Sequence, residues 1–584
     1  MSFYAFTPFS SAIFPNSANI SFHTLPKPTS TRTQPAPRRT MSTPRKQHTF
    51  TTLYSLYATS GTVTIHSSSS DSPILVPTPS PLDPNDPLSW PPQKKRTAFL
   101  SICTFTFLTN FGIGGLTSAF YLISLEFEKS LPETSALLLW PILVLGLFNF
   151  FWVPLANYFG KRPVFVLSCG LLFASYIWGA LAKSFESLLW SNIVAAFAGS
   201  STEALGAAMV NDLFFVHERG GKMGVYMNFI SGGNTVGPLV CGFVVTGLSW
   251  RWHKWIAAML TGINFVTVVL MVPETRYHRV EVTGEGGQQV SESEDNGQEK
   301  GKVRGDGEQG QQREGIVAVP KKSWVQELSL WSGTPKDDTS LWKMFLRPLP
   351  MFAYPCVIYS FLGYAVSLVL TVAVNILNSF VLQAPPYSWS PTVNGLINIP
   401  GFIGNLLGSF AGGWLVDEFC DWRSRKNNGV FEPENRLYLC ILPLLITGAG
   451  CVLFGYGVER TLHWTSLFFG YGMVSFALTA VPTITMAYVS DCLLPVNSDA
   501  LMLVNGTSLT CIRMKEANHG IGSKNIVAFG FLYGIVPWVE EVGYVECFGT
   551  QAGIYVAIIA IGMAVLIPFG VRIRHAQAKW KIIL

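Results

Sequence analysis

Residues 136–156 read ALLLWPILVLGLFNFFWVPLA, a run of 21 residues without one charged side chain. Because the hydrocarbon core of a bilayer is about 30 Å thick, a helix of roughly 20 mostly apolar residues can span it. This run therefore predicts a transmembrane helix, and eleven other segments are also long and mostly apolar. The twelve predicted segments are 98–120, 136–156, 163–182, 188–212, 223–248, 254–272, 350–373, 392–416, 437–457, 464–490, 525–543 and 549–571. The sequence thus predicts an all-α membrane protein with twelve transmembrane helices.

The composition of the whole chain agrees with this prediction. Of the 584 residues, 49% are hydrophobic and only 13% are charged, whereas soluble domains carry about 25% charged residues. The net charge of +5 is spread along the chain, so we expect a lipid bilayer and no nucleic acid as partner. No Ser/His/Asp arrangement, HExxH motif or phosphate-binding loop indicates an enzyme. The cysteines lack metal-ligand spacing, so no metal and no cofactor is predicted.

Basic residues in the short loops predict the orientation, since cytoplasmic loops carry an excess of Lys and Arg. With a cytoplasmic N-terminus, fifteen basic residues flank inner helix ends and five lie in outer loops. The inner set is Lys94, Lys95, Arg96, Lys161, Arg162, Arg219, Lys222, Arg423, Arg425, Lys426, Arg436, Arg572, Arg574, Lys579 and Lys581. The outer set is Lys129, Lys183, Arg251, Lys254 and Arg460. Both termini are therefore predicted to be cytoplasmic, and we expect the protein in the plasma membrane.

Polar stretches divide the chain into parts. Residues 1–90 are rich in Ser, Thr and Pro and predict a disordered cytoplasmic tail. Their basic, acid-poor beginning also fits a mitochondrial transit peptide, and Met41 is an alternative start. A charged, Gly/Gln-rich run predicts a largely disordered central loop between the sixth and seventh helices. The predicted parts are the tail 1–90, a first six-helix half 91–275, a cytoplasmic loop 276–345, a second six-helix half 346–574 and a cytoplasmic tail 575–584.

Residues 507–523, TSLTCIRMKEANHGIGS, interrupt the approach to the eleventh predicted helix. The segment has neither a helical apolar stripe nor the composition of a linker. Codons for Gly506, Thr507 and the start of Ser508 can form a GTACGT splice donor. We therefore predict a retained intron, and a genuine loop insertion is the alternative.

The two predicted halves repeat one polar pattern at their cytoplasmic ends, as parallel six-helix repeats do. Each second helix ends in a short polar side chain followed by basic residues, and each fourth helix ends in an aspartate. The residues of the predicted cytoplasmic gate are Asn157, Gly160, Lys161, Arg162, Asp417 and Arg423, and the two aspartates are Asp212 and Asp491. Gate contacts that break when the halves rock explain the pattern, and ordinary basic flanks of membrane helices are the alternative.

The loop after the second helix resembles the signature loop of the major facilitator superfamily, a Gly-x-x-x-Asp-Arg/Lys-x-Gly-Arg/Lys-Arg/Lys pattern. The matching residues are Gly160, Lys161 and Arg162. Val153 and Asn157 replace the expected Gly and Asp, whereas the second half keeps the acidic residue as Asp417.

The fifth predicted helix resembles the antiporter motif of that superfamily. The matching residues are Gly224, Gly233, Gly237, Pro238 and Gly242, and Cys241 replaces one further glycine. Glycines give a helix a small face for close packing, and proline removes a backbone hydrogen bond and bends the helix. Close helix packing accounts for some of the glycines without antiport.

Three shorter stretches are similar to fungal members of the twelve-helix drug:proton antiporter family, which includes permeases for polyamines and other organic cations. They are DPLSWP at 86–91, FVHERG at 215–220 and NGVFEPENRL at 428–437. The resemblance covers residues 83–580 apart from 507–523, and it implies alternating access between two six-helix halves. The family usually has an arginine in the fourth helix, but Ala195 fills that position near Gly199.

Glu203 is predicted to be the only ionisable residue well inside a membrane helix. A buried carboxylate in a membrane is costly and therefore faces the bundle interior. It is a candidate for the coupling proton, for binding a cationic substrate, or for both in competition, and a protonated structural Glu is the alternative. Asp212 and Asp491 are the further carboxylate candidates.

Amide side chains cluster in the seventh and eighth predicted helices. The candidates for lining a polar cavity are Asn375, Asn394, Asn398 and Asn405, together with Tyr364. Hydrogen bonding between helices explains the same amides without a cavity.

The sequence thus favours a secondary active transporter that exports a drug-like or cationic small molecule in exchange for protons, as a monomer. Proton-coupled uptake of polyamines or other organic cations is the alternative mechanism. A nutrient sensor with a transporter fold is the alternative of another class.

Overall fold

The computed structural model describes residues 83–277, 321–329, 353–383, 387–427, 429–493 and 524–577, with the short pieces 63–64, 66–67, 70–73, 501 and 504. All of them belong to one unit that comprises residues 51–584. Most of the predicted tail 1–90, most of the central loop 276–345 and the whole of 507–523 lie outside the described residues.

The first half of the chain forms a series of apolar helices. They are α1 Pro92–Gly114, α2 Phe120–Glu126, α3 Leu131–Phe159, α4 Lys161–Ala180, α5 Phe185–Ser201, α6 Ala207–Leu213, α7 Val216–Gly247 and α8 Trp250–Met271. A 3₁₀-helix, Gly115–Ala119, joins α1 to α2, and a π-helix, Thr202–Gly206, joins α5 to α6. A short 3₁₀-helix, Pro87–Ser89, precedes α1.

The second half repeats this arrangement after the short helix α9 Trp324–Glu327. Its helices are α10 Pro355–Gln383, α11 Pro391–Leu396, α12 Asn398–Gly412, α13 Trp414–Lys426, α14 Ile441–Glu459, α15 Trp464–Cys492, α16 Lys524–Tyr533, α17 Ile535–Val542 and α18 Tyr544–Gln577. The 3₁₀-helix Pro433–Cys440 leads into α14.

Each predicted transmembrane segment overlaps helix in the described part of the chain. By length and apolarity, ten helices of the described chain qualify as membrane spans, or eleven when the pair α16 and α17, bent by 43°, counts as one. The fourth predicted segment, 188–212, is helical throughout but is divided into α5, the π-helix and α6. The π-helix is a short interruption of the usual hydrogen-bond pattern, of a kind that often occurs at functional sites.

The predicted signature loop is a turn of one residue. Helix α3 ends at Phe159 and α4 begins at Lys161, so the chain reverses at Gly160, whose φ is 107°. Glycine adopts this left-handed conformation without the steric cost that a Cβ atom brings. The glycine of the motif is therefore required by the geometry of the turn.

The halves pack against each other mainly through α7 and α3 of the first half. Helix α7 of the first half lies along α11 and α12 of the second, and α3 lies along α16.

Four short strands accompany the helices. β1 Val63–Thr64 pairs antiparallel with β4 Val430–Phe431, and β2 His66–Ser67 pairs with β3 Ser70–Pro73.

Residues 83–90, which the sequence analysis placed in the disordered tail, have defined contacts. Asp86 caps the 3₁₀-helix by accepting the N–H of Leu88 at 3.0 Å, and Leu88 and Trp90 are buried. Burial of these two apolar side chains is the physical reason why residues 83–90 pack against the helices.

Candidate functional site

A central cavity with a volume of about 40 Å³ lies between the two halves. Its lining from the first half is Asn110, Ile113, Gly114, Thr117, Leu138, Ile142, Leu145, Glu203, Ile230 and Asn234. Its lining from the second half is Tyr364, Leu368, Thr371, Val372, Asn375, Leu478 and Asn525. The wall is mostly apolar with a few amides and one carboxylate among these residues, which is the usual composition of a small-molecule site.

Glu203 lies in the π-helix and faces this cavity. Its side chain is only 5% exposed, and Asn149 Nδ2 donates to its Oε2 at 3.4 Å. The irregular backbone beside it is satisfied by Tyr226, whose hydroxyl donates to the carbonyl of Thr202. The predicted position of Glu203 inside the bundle is thus the position that the structure shows.

Two of the five predicted cavity residues line the cavity, namely Asn375 and Tyr364. Tyr471 donates its hydroxyl hydrogen to Asn375 Oδ1 at 2.9 Å, and Asn398 Oδ1 lies 3.4 Å from the same hydroxyl oxygen. Asn398 is therefore one layer behind the wall. Asn110, Asn234 and Asn525 line the cavity, although the sequence analysis did not select them.

Asn394 and Asn405 are buried but do not belong to the described lining of the cavity. Asn405 Nδ2 donates to the carbonyl of Ser231 in the first half at 3.3 Å. Its amide therefore links α12 to α7, in agreement with the alternative that such amides bond between helices.

A charge cluster joins the halves at the predicted cytoplasmic end; it consists of Arg219, Gly221, Asp417, Arg436 and Asp491. Arg219 from the first half lies 3.2 Å from Asp491 Oδ1. Arg436 bridges the two aspartates, with 2.7 Å to Asp491 and 2.7 Å to Asp417. Both arginines and Asp491 are at most 2% exposed. Buried charges of opposite sign compensate each other, and removal of one partner leaves the other uncompensated.

Close backbone contact accompanies these charges. The N–H of Gly221 donates to Asp417 Oδ2 at 2.6 Å. A Cβ atom on Gly220 would overlap the carboxylate of Asp417, and one on Gly413 would lie 3.0 Å from the carbonyl oxygen of Gly220. Glycines at these positions therefore allow α7 and α13 to meet across the interface.

For the other predicted gate residues, the contacts in the described part of the chain stay within one half. Lys161 forms an ion pair of 2.5 Å with Asp212, and the backbone N–H groups of Lys161 and Arg162 each donate to Glu274 at 3.1 Å. Arg423 Nη2 lies 3.2 Å from the hydroxyl of Tyr438 in its own half. Asn157 and Gly160 lie beside Lys161 at the end of α3, whereas Asp417 reaches across the interface.

Neither Asp212 nor Asp491 belongs to the described lining of the cavity. Both carboxylates pair with basic side chains near helix ends, Asp212 with Lys161 and Asp491 with Arg436. Lys161 is the first residue of α4, and Arg436 lies within the 3₁₀-helix Pro433–Cys440 that leads into α14. Arg219 and Arg436 were counted only as basic flanks. They occur in two of the stretches that carried the family resemblance, and this was the signal for their role in the interface.

The glycines of the antiporter motif lie on two faces of α7. Gly224 and Gly242 face the second half, where a Cβ would lie 2.8 Å from the oxygen of Ser409 and 2.7 Å from that of Pro391. Gly233 and Gly237 face α1, and a Cβ on Gly237 would lie 2.7 Å from the oxygen of Phe111. The carbonyl of Pro238 accepts the hydroxyl of Ser118 at 2.8 Å. Helix α7 thus packs closely against α1 and the second half at once.

A second ionisable group is buried inside the first half. Lys254, assigned to an outer loop by the sequence analysis, lies in α8 and is 1% exposed. Its neighbour His253 is fully buried. The prediction that Glu203 is the only ionisable residue well inside a helix was therefore wrong, because α8 begins one turn before the predicted segment 254–272.

Comparison with known proteins agrees with this architecture. The sequence profile of the Major Facilitator Superfamily matches residues 100–505. The chain belongs to the major facilitator superfamily. This confirms the resemblance seen in the signature loop and in the fifth helix.

Several curated relatives are fungal members of the superfamily. An uncharacterised transporter of Schizosaccharomyces pombe is 25% identical over 87% of this chain and 89% of its own length. The protein HOL1 of Saccharomyces cerevisiae is 25% identical over 87% of this chain and 91% of its own length. QDR3 of Candida albicans, named an antiporter, is 21% identical over 60% of this chain and 62% of its own length.

A solved structure has the same fold. The peptide transporter POT, crystallised with sulfate, superposes with a TM-score of 0.52 at 13% identity, over 82% of this chain and 96% of its own. The protein is thus a membrane transporter of the major facilitator fold.

Proposed function

We propose that this transporter exports a drug-like or cationic small organic molecule in exchange for protons, by alternating access. The observation that carries the proposal is the burial of Glu203 in the wall of a cavity built by both halves. Ionisable residues inside the membrane mark substrate or proton pathways. The name of QDR3 as an antiporter supports exchange of the substrate for another species.

The chemistry of the cavity favours an amphipathic cation as substrate. Leu138, Ile142 and Leu368 offer apolar surface, and the amides of Asn110 and Asn375 offer hydrogen bonds. Among the described residues that line the cavity, Glu203 supplies the negative charge. A carboxylate binds either a proton or a cationic group, so the two ligands compete and their fluxes become coupled.

The charge cluster is the proposed cytoplasmic gate. Its cross-half contacts, from Arg219 to Asp491 and from Gly221 to Asp417, hold the halves together at that end. Opening of the cavity toward the cytoplasm separates the halves there and breaks these contacts. We further propose a monomer in the plasma membrane with both termini in the cytoplasm.

The proposal is tested by transport into proteoliposomes with an imposed proton gradient, screened against cationic drugs and polyamines. We expect at least one cation to accumulate on the side from which protons leave. Movement of cation and proton in the same direction would support the alternative, proton-coupled uptake. If compounds of the screen bind specifically but none of them is transported, the result would support a sensor and contradict the proposal.

A further inference from the structure

Lys254 is bound at the end of α1. Its Nζ donates to the carbonyl of Gly112 at 2.7 Å and to Asn192 Oδ1 at 2.7 Å. The ammonium also lies 5.2 Å from the centre of the Tyr176 ring. Helix α1 ends at Gly114, where the 3₁₀-helix Gly115–Ala119 begins, so Lys254 contacts the last turn before this break.

No ion pair within the described part of the chain includes Lys254. Its charge is instead placed at the carboxyl end of α1, where the carbonyl groups carry partial negative charge and favour a cation. A buried cation that is bound by a helix end and one amide is stabilised only while both stay in place. The position of the α1 break and the burial of Lys254 therefore depend on each other.

Other side chains bind the same stretch of α1. The hydroxyl of Tyr176 lies 2.9 Å from the carbonyl oxygen of Leu108 and 3.0 Å from that of Thr109. His253 Nε2 lies 3.2 Å from the carbonyl oxygen of Phe111. A Cβ atom on Gly115 would overlap the ring of His253, so this residue has to be small.

The opposite side of the same stretch is the cavity wall. Asn110, Ile113, Gly114 and Thr117, all within or beside the break, line the central cavity. A shift of the break by a fraction of a turn would turn these groups away from the cavity, since successive helical residues point in different directions.

We propose that Lys254 is a positioning residue: it fixes the break in α1 and thereby sets which groups of α1 face the substrate. Its effect on transport depends on the proposed function, but its effect on the α1 break does not. Lys254 makes no described contact with a residue that lines the cavity. It therefore acts on the lining groups of α1 through its hydrogen bond to the backbone carbonyl of Gly112.

The test measures the accessibility of the break directly. Thr117 is replaced by Cys, and its labelling by a membrane-impermeant maleimide is followed in proteoliposomes. The cysteines in the described part of the chain are all buried, which keeps background labelling low. Lys254→Met removes the charge and the hydrogen bonds but keeps the length of the side chain. Lys183→Met, at an exposed lysine of the same half, is the matched control.

We expect Lys254→Met to lower the labelling rate of T117C by about tenfold, the equivalent of one charge-assisted hydrogen bond, because the group at position 117 turns away from the cavity, while Lys183→Met leaves the rate unchanged. The KM for a transported cation should rise more than kcat falls. Equal labelling rates in the two variants would overturn the proposal, whether or not the protein transports. If Lys254→Met does not fold, Asn192→Ala, which keeps the lysine and removes one partner, must lower the labelling rate of T117C, and an unchanged or higher rate overturns the proposal.

Discussion

Glu203 and Glu186 are two glutamates of one helical segment in opposite environments. Glu203 is buried in the cavity wall, and Glu186 is exposed in the first turn of α5. Glu203→Gln keeps the size of the side chain but removes its negative charge. We expect the exchange of one cation for another across the membrane to fall at least about tenfold, since a charge-assisted contact is lost. Counterflow of labelled substrate measures this, and Glu186→Gln is the control.

Unchanged exchange in Glu203→Gln would show that the substrate does not use this carboxylate. Glu203 would then serve only the proton. A loss of equal size in Glu186→Gln would indicate a general defect and contradict a specific role for Glu203.

Arg436 is the residue on which the charge cluster depends most. It compensates both Asp417 and Asp491, and all three side chains lie at the interface of the halves. Arg436→Gln should destabilise the folded protein by about 3 kcal/mol, because removal of one partner leaves buried charges uncompensated. Thermal unfolding in detergent measures the loss as a lower midpoint temperature.

Arg425→Gln is the matched control for this substitution. Arg425 pairs with Asp421 at 2.9 Å on an exposed helix face, where ion pairs contribute less than about 1 kcal/mol. Equal midpoints for Arg436→Gln and Arg425→Gln would mean that the buried ion pairs of Arg436 do not stabilise the folded protein.

At the scale of the element, helix α7 offers a comparison of two adjacent glycines. A Cβ on Gly233 would overlap the backbone oxygen of Phe107 in α1, whereas a Cβ on Gly232 would have its nearest neighbour at 3.7 Å. Gly233→Ala should therefore force α7 and α1 apart at a cost of about 1–3 kcal/mol and lower transport. Gly232→Ala should be tolerated. Size-exclusion profiles and transport of the two variants decide this, and equal behaviour would contradict the close packing of the motif.

The helices could be predicted from sequence because each apolar segment satisfies its own backbone in the membrane. Gly160 and the glycines of α7 were selected from sequence by their resemblance to two motifs of the superfamily, whereas the helices that the α7 glycines contact are visible only in the structure. The π-helix at Glu203 could not, since it depends on Tyr226 and on other contacts between helices. Lys254 was assigned to an outer loop because it stands at the edge of an apolar segment, and its burial is a property of the packed helices.

The partners within the site could be predicted only in part. Asp417 was selected from its motif, but its partners Arg436 and Gly221 are distant in sequence or lie in the other half. Asn405 was selected as a cavity residue, yet its amide binds the backbone of Ser231. Sequence gives the type of side chain, and the crossing of helices decides which side chain faces the cavity.

At the scale of the whole molecule, the predicted orientation has a direct test. A reporter inserted within 285–310 or fused after Arg574 should be cytoplasmic, and one near Glu186 or Glu540 should be outside. Protease protection in sealed cells or vesicles measures each position. An external signal from the 285–310 insertion would contradict the division into two halves with a cytoplasmic loop.

The central claim is that cation and proton exchange across the cavity that contains Glu203. The most direct measurement is the pH inside proteoliposomes, followed with a trapped dye after a cation that the screen has identified is added to one side. The account predicts a proton flux opposite to the cation flux in the native protein and no substrate-dependent proton flux in Glu203→Gln. Proton flux of the native size in a well-folded Glu203→Gln protein would contradict it.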